Sequence, residues 1–202
     1  DSYSPTLRKY HHTLWDKRLP NGKYFHLDLD TPKLLHHKSD LGEFFLSSDQ
    51  IGNTYSNVKK MSHIVGQVSQ DEMDYFSNIR ATIAGHAIFP ARKIDNKMTI
   101  NGARGVNHKI QDRFDLTLEC IRRFYKKENS PLTVVFERYS QFFDLFENFK
   151  GYVDFFLYQD LVNEGCSEIK FWHPFDDFQG SSLPSSLNEY LSYKEKVISF
   201  LI

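Results

Sequence analysis

The sequence predicts an α+β fold, with a mixed, sheet-containing portion over about residues 1–105 and a mainly helical layer over about 106–202. Three observations carry that expectation. Apolar and polar residues alternate in YFHLDLD (24–30) and GEFFLSSD (42–49), the period of half-buried strands. From Ile110 onward, apolar residues instead recur every three or four positions, the period of helices with one buried face. The 202 residues hold no internal repeat, and a chain of that length ordinarily folds around one core, so residues 1–202 are read as a single domain.

The elements follow in order. Asn21-Gly22 is a turn signal ahead of YFHLDLD, which sets Phe25, Leu27 and Leu29 on one side and His26, Asp28 and Asp30 on the other. GEFFLSSD reads as a second strand. Residues 53–79 read as partly helical, with Val58, Met61, Ile64 and Val65 at helical spacing. RATIAGHAIFP (80–90) reads as a strand ending at Pro90, which cannot donate to a ladder. KMTINGAR (97–104) is expected to return beside it after the loop ARKIDN.

A helix starting near Asp112 then carries the stripe Ile110, Phe114, Leu118, Ile121 and Tyr125. The next opens with Ser130 as N-cap and Pro131 in the first position, and runs through Tyr139 to Phe146. A third follows Gly151 as YVDFFLYQDLV. EIKFWHPF (168–175) reads as one more strand, DDFQGSSLPSS as a loop, and LNEYLSYKEKVISFLI as a closing helix.

Composition narrows the class. Hydrophobic residues at 40% and charged residues at 25% suit a soluble globular chain, and most of the 18 Phe, 11 Tyr and 2 Trp are expected in the core. No apolar run is long enough for a membrane span, and DSYSPTLRKYHH lacks the apolar stretch of a secretory signal. Cys120 and Cys166 leave one disulfide open but form neither a disulfide framework nor a cysteine zinc site. A cytoplasmic protein is the expectation. The start at Asp1 and the stop on SFLI, inside an apolar pattern, read as those of a trimmed segment.

Charge is balanced overall and uneven along the chain. Residues 80–127 hold 11 Lys and Arg against 4 Asp and Glu, whereas residues 128–202 hold 5 against 12. The basic block either attracts a phosphate-bearing partner or faces the acidic block across the fold. Arg104, between Gly102 and Gly105 and leading toward a helix start, is its most specific residue, because small neighbours let another group approach the backbone. Arg92 and Lys97 lie on the preceding loop, and Arg113 at the helix start.

Three other signals are weaker. Nine histidines include the pairs His11-His12 and His36-His37, but no HExxH occurs, and His26, Asp28, His36 and His86 are only a scattered metal set. No metal or cofactor is expected. Ser47 and Ser48 lack a nucleophile elbow. Glu168-Ile-Lys170 matches the ExK of metal-dependent nucleases, although Asp154 and Asp160 upstream sit on a helical pattern.

Two main readings result. The first is a binder of nucleic acid or a nucleotide-like phosphate ligand through Arg92, Lys97, Arg104 and Arg113, with nuclease chemistry of a toxin or defence effector as its enzymatic form. The second is a small-molecule enzyme with a pocket between sheet and helices, lined by His86, Asn101, Arg104 and Asp115. A protein-interaction module that forms homo-oligomers through its basic and acidic faces is the third.

The wording of several blocks goes beyond pattern. FP…KMTINGARG…DRFDLTLECIRRFY, then SPL, GYVDFFLYQDLV and PFDDFQGSSLP…EYLSYKEKVI, resembles an uncharacterised bacterial family across nearly the whole chain. The resemblance implies a bacterial, cytoplasmic-type protein of unknown function and transfers no catalytic residue.

Overall fold

The computed structural model describes residues 3–25, 27–28 and 35–202. It opens with α1 (Pro5–Trp15), where Ser4 caps the helix by accepting a hydrogen bond from the Leu7 amide at 3.3 Å and Pro5 takes the first turn. The inner face of α1 buries His11, Leu14 and Trp15.

One antiparallel sheet follows, in the order β1 (Leu27–Asp28), β2 (Leu35–Ser39), β3 (Gly42–Gln50), β4 (His86–Pro90). Of the expected strand YFHLDLD, Leu27 and Asp28 are in β1, while His26, Leu29 and Asp30 lie outside the described residues. β2 was not legible, because LHHKS offers few residues with strand preference. It is held by its ladder to β3 through a two-residue turn that Gly42 closes at φ +137°. Along β3, Phe44 and Leu46 are buried on one face, and Phe45, Ser47 and Asp49 alternate onto the other.

Helices α2 (Ser62–Val65) and α3 (Gln70–Arg80) occupy the segment read as partly helical, and Ser69 caps α3 by accepting from the Glu72 amide while its hydroxyl donates to the Glu72 carboxylate. Three strand expectations need correction. Only His86–Pro90 of residues 80–90 is strand, and it pairs with β3. Residues 97–104 do not return beside it. Thr99 caps α4 (Ile100–Val106) by accepting from the Gly102 amide at 3.2 Å, so Asn101-Gly102 lies in a first helical turn rather than a hairpin. EIKFWHPF contributes only the single bridge Val162–Ile169.

The helical half runs through α5 (Phe114–Tyr125), α6 (Thr133–Arg138), α7 (Ser140–Asp144), α8 (Phe149–Phe156) and α9 (Leu187–Leu201). The expected helix from Ser130 is split at Tyr139, where the backbone leaves helical geometry at φ −113°, ψ 23°. Asn148 caps α8 ahead of the expected Gly151 start, and Leu157 ends it in the left-handed region. The aromatic load is core, as composition implied: Trp15, Phe142, Phe146, Tyr152, Phe155 and Phe156 pack together under α1 and α8. Cys120 and Cys166 are both free, and burial pushes the Cys120 thiol up to about 12. Among the described residues, no helix is long and apolar enough to cross a membrane.

Candidate functional site

A polar cleft lies where the end of β3 meets the approach to α5. It has a volume of about 230 Å³ and is lined by Asp49, Asn53, Thr54, Asn57, Arg80 and Asp112, among others. Two periodicities build one wall. Ser47 and Asp49, two residues apart on β3, share a strand face, while Asn101 and Arg104, three apart on α4, share a helix face. The two faces meet: Asn101 Nδ2 donates to Ser47 Oγ at 3.3 Å, and Arg104 Nη1 to Asp49 Oδ2 at 2.5 Å.

Arg104 is the structural centre of this wall. Its side chain has no exposed surface, and its guanidinium also donates to Thr117 Oγ1, to the Asp112 carbonyl and, at 3.5 Å, to the Gln50 carbonyl. It lies over the rings of Phe89 and Phe114. The carboxylate of Asp49, by contrast, is 29% exposed and faces the cleft. A buried cation thus orients a carboxylate that solvent and ligand can reach.

Asp112 faces the same cleft. It follows Gln111 in the left-handed region, with φ of 43° and 61° for the pair, a conformation that costs non-glycine residues backbone energy. Its carboxylate comes so close to Gly105 that a Cβ there would lie 3.3 Å from Oδ1. The approach to a small residue beside Arg104 is thus realised by the chain's own aspartate. The only side chain donating to Asp112 among the described residues is Asn53, at 3.5 Å. Burial raises the Asp112 pKa, Asp49 adds to the rise, and Arg104 and Arg80 oppose it.

The cleft floor is fixed from a distance. The Tyr193 hydroxyl of α9 accepts from the Asn53 amide and donates to its carbonyl, Tyr190 donates to the Thr54 carbonyl at 2.8 Å, and Arg80 Nη1 donates to the Gly52 carbonyl at 2.9 Å. Rigid floors of this kind hold polar groups in position before a ligand arrives.

The six residues expected to bind a ligand do not form one site. Arg104 and Arg113 are interior, and Arg113 is clamped to Asp115 by two hydrogen bonds and to the Ser182 carbonyl. Neither arginine is an open phosphate ligand, because its charge is already satisfied by an acid of its own fold. Asn101 is half-buried on Ser47, with its Oδ1 unpartnered among the described residues. His86 faces the Thr82 carbonyl at 2.7 Å. Arg92 and Lys97 are exposed, Arg92 over the Phe45 ring. Asp115, named for the pocket reading, is wholly buried and outside the cleft lining.

The charge blocks are likewise used within the fold. Arg122 and Arg123 share Glu119, and they reach Glu128 and Asp177 of the acidic block. Of the scattered metal set, His26 and the Asp28 side chain lie outside the described residues, and His36 pairs with Glu43 at 2.7 Å. Asp160 and Lys170 line one open cleft, but Glu168 of the ExK string does not join them, and Asp154 pairs with Lys150. Among the described residues, no group of three or more His, Cys, Asp or Glu is placed to hold a metal.

Sequence reasoning missed the pairing of Asp49 with Asp112. Asp49 read as the last residue of the strand GEFFLSSD, and Asp112 as a helix-start acid. Arg104, which contacts both residues, was the available signal.

A family described only as of unknown function, DUF6994, matches residues 1–202. No curated protein matches the chain, and no solved structure does.

Proposed function

We propose for this chain, which belongs to the family of unknown function DUF6994, that the Asp49–Asp112 cleft binds a small polar molecule and exchanges a proton with it. The observation that carries this reading is Asp112: strained backbone, a half-buried carboxyl with raised pKa, and a single long side-chain hydrogen bond, all facing a cleft. Perturbed acids in clefts are the usual form of general acids and bases. Asp49, oriented by Arg104, is the second carboxylate, suited to accept from a ligand hydroxyl or amine. Two aspartates against Arg104 and Arg80 leave the cleft near neutral, which favours a neutral, hydroxyl- or amide-rich ligand over a polyphosphate. The volume suits one compact ring, below the range typical of drug-sized sites.

The test is a ligand panel of monosaccharides, nucleosides and amino alcohols, read by the backbone amide NMR signals of Asn53, Thr54 and Asp112. The reading expects saturable shifts confined to the cleft for at least one member, and their loss in Asp112→Asn. A panel that moves none of these signals would remove its support.

A second reading keeps the phosphate-bearing partner, nucleic acid or nucleotide, on a different surface. His36 stacks on Phe45 with ring centroids 4.5 Å apart, Arg92 lies over the same Phe45 ring, and exposed Lys97 follows on the same loop. An aromatic ring with adjacent cations is the chemistry of single-strand binding. Anisotropy of labelled RNA and DNA at two salt concentrations, with Arg92→Ala and Lys97→Ala, tests it, since phosphate contacts weaken steeply with salt.

A further inference from the structure

A second cavity, of about 170 Å³, opens beside the first turn of α5 and shares no lining residue with the Asp49–Asp112 cleft. Lys109 and Arg113 come from the turn before α5, His173 from the segment after the isolated bridge, and Ser181 and Ser182 from the QGSSLP loop. These pieces are stitched together. The Ser182 amide donates to the His108 carbonyl at 3.2 Å, its hydroxyl contacts Gln111 Oε1 at 3.1 Å, and Arg113 Nη1 donates to the Ser182 carbonyl at 3.2 Å. The Asn107 side chain holds the turn by accepting from the Lys109 amide.

The acids around this cavity are turned toward other donors. Asp115 is taken by Arg113 and by the Trp172 amide, and the Asp176 carboxylate accepts from the Gln179 and Gly180 amides. Glu189, 3.8 Å from His173, is bound by the amide and hydroxyl of Ser185. Lys109 makes no ion pair among the described residues, and the Ser181 hydroxyl accepts from the Leu183 amide with its own proton still to donate. The cavity is therefore lined by one ammonium without an ion pair among the described residues, one hydroxyl proton still to donate, and an imidazole whose neighbouring acid, Glu189, is held by Ser185, in front of a fixed guanidinium.

We propose that this cavity binds a phosphate group, with Lys109 supplying the charge, Ser181 and His173 the hydrogen bonds, and the neutralised Arg113–Asp115 pair holding the wall behind them. Charge-assisted hydrogen bonds to an oxyanion are the strongest these side chains can make. The imidazole gives the readout. Burial lowers the His173 pKa and Arg113 lowers it further, with Lys196 acting the same way and Glu189 and Asp115 against it. An anion in the cavity reverses part of that balance and moves His173 upward.

The experiment is an NMR titration of the full chain with inorganic phosphate and, separately, with ribose 5-phosphate, following the His173 ring through pH. The expected result is saturable binding, an upward shift of the His173 titration, and binding weakened about tenfold or more in Lys109→Ala, as loss of one charged hydrogen bond implies. Lys127→Ala, which removes the same charge from an exposed site, is expected to leave affinity unchanged. Tighter binding of the sugar phosphate assigns an ester as occupant, and equal binding assigns the free ion. A His173 titration that ignores both ligands, or equal losses in the two lysine variants, overturns the proposal.

Discussion

Arg104 on α4 and Arg113 at the start of α5 are two buried arginines, each paired with an aspartate, and the difference between the pairs separates structure from function. Both guanidiniums are interior, and each lies 2.5 Å from a carboxylate oxygen. Thr117 joins them, its hydroxyl accepting from Arg104 Nε and donating to the Arg113 carbonyl. Asp115 is two residues from its arginine, fully buried, and bonded by three donors. Asp49 is 55 residues from its arginine and keeps 29% of its side chain open to a cleft. The carboxylate of the closed pair is fully used inside the fold and offers nothing to a ligand. The open pair leaves lone pairs for something else to use.

At fixed neutral pH, breaking the closed pair has the largest expected effect. Asp115→Ala leaves Arg113 charged and buried, which costs about 3–5 kcal/mol. Urea or guanidinium unfolding checks this, and a loss under 1 kcal/mol would mean that the pair is not sealed as described.

The next effect comes from a buried polar cluster of the opposite kind, with no hydrogen-bond partner among the described residues. His11 and His37 are fully buried with all four ring nitrogens unpartnered among the described residues. Burial first, and neighbouring positive charge second, lower their pKa values to about 3 and about 2. The folded state therefore holds both neutral, while the unfolded chain takes up two protons below its ordinary value near 6.5. Their contribution is fully present above pH 6.5 and is lost as pH falls from there toward 3. The slope approaches about 2.7 kcal/mol per pH unit. Unfolding curves between pH 7 and 4.5, compared with those of His37→Phe, measure it; a flat profile would mean that the rings find partners.

Opening the open pair further costs less. Asp49→Ala leaves Arg104 with Thr117 and backbone carbonyls, so about 1–3 kcal/mol is expected. The ratio of the two aspartate effects is the sharpest measure of how differently the pairs work. Thr99→Ala, which removes the cap that aims α4 and hence Arg104 at Asp49, is expected to cost about 1 kcal/mol.

Asp112→Asn has the smallest expected effect and the most informative sign. A raised folded pKa means that ionised Asp112 works against folding, so stability declines as pH climbs through its titration. The amide tolerates the left-handed backbone and carries no charge, so it should stabilise the protein at pH 7 and not at pH 3. A substitution that strengthens the fold while weakening ligand shifts in the cleft is the trade-off expected of a functional acid.

Much of this was legible wherever local chemistry decides conformation. The stripe from Phe114 to Tyr125 was visible because one helix face turns Phe114, Leu118 and Ile121 into the core, with Tyr125 partly buried behind them. β3 was visible because its alternation matches its two faces. α4 was misread although Ile100, Ala103 and Arg104 keep helical spacing, because Asn101-Gly102 spells a turn and a seven-residue helix gives the period little room. Arg104 was singled out for its charge between two glycines, but charge has no direction in a sequence. Whether an arginine meets a ligand or an acid of its own chain depends on partners 55 and 13 positions away.

By itself, the sequence determined the α+β class, the aromatic core, the closing helix and the concentration of arginines before α5, because each follows from side-chain periodicity and burial within a few turns of chain. Only the tertiary structure decided which arginines are consumed inside the fold, which aspartates face one cleft at the end of β3, and which base in the turn before α5 is left without an ion pair among the described residues. Those outcomes depend on which distant segments lie against one another, and a charge pair buried at their contact is set by geometry that no local pattern encodes.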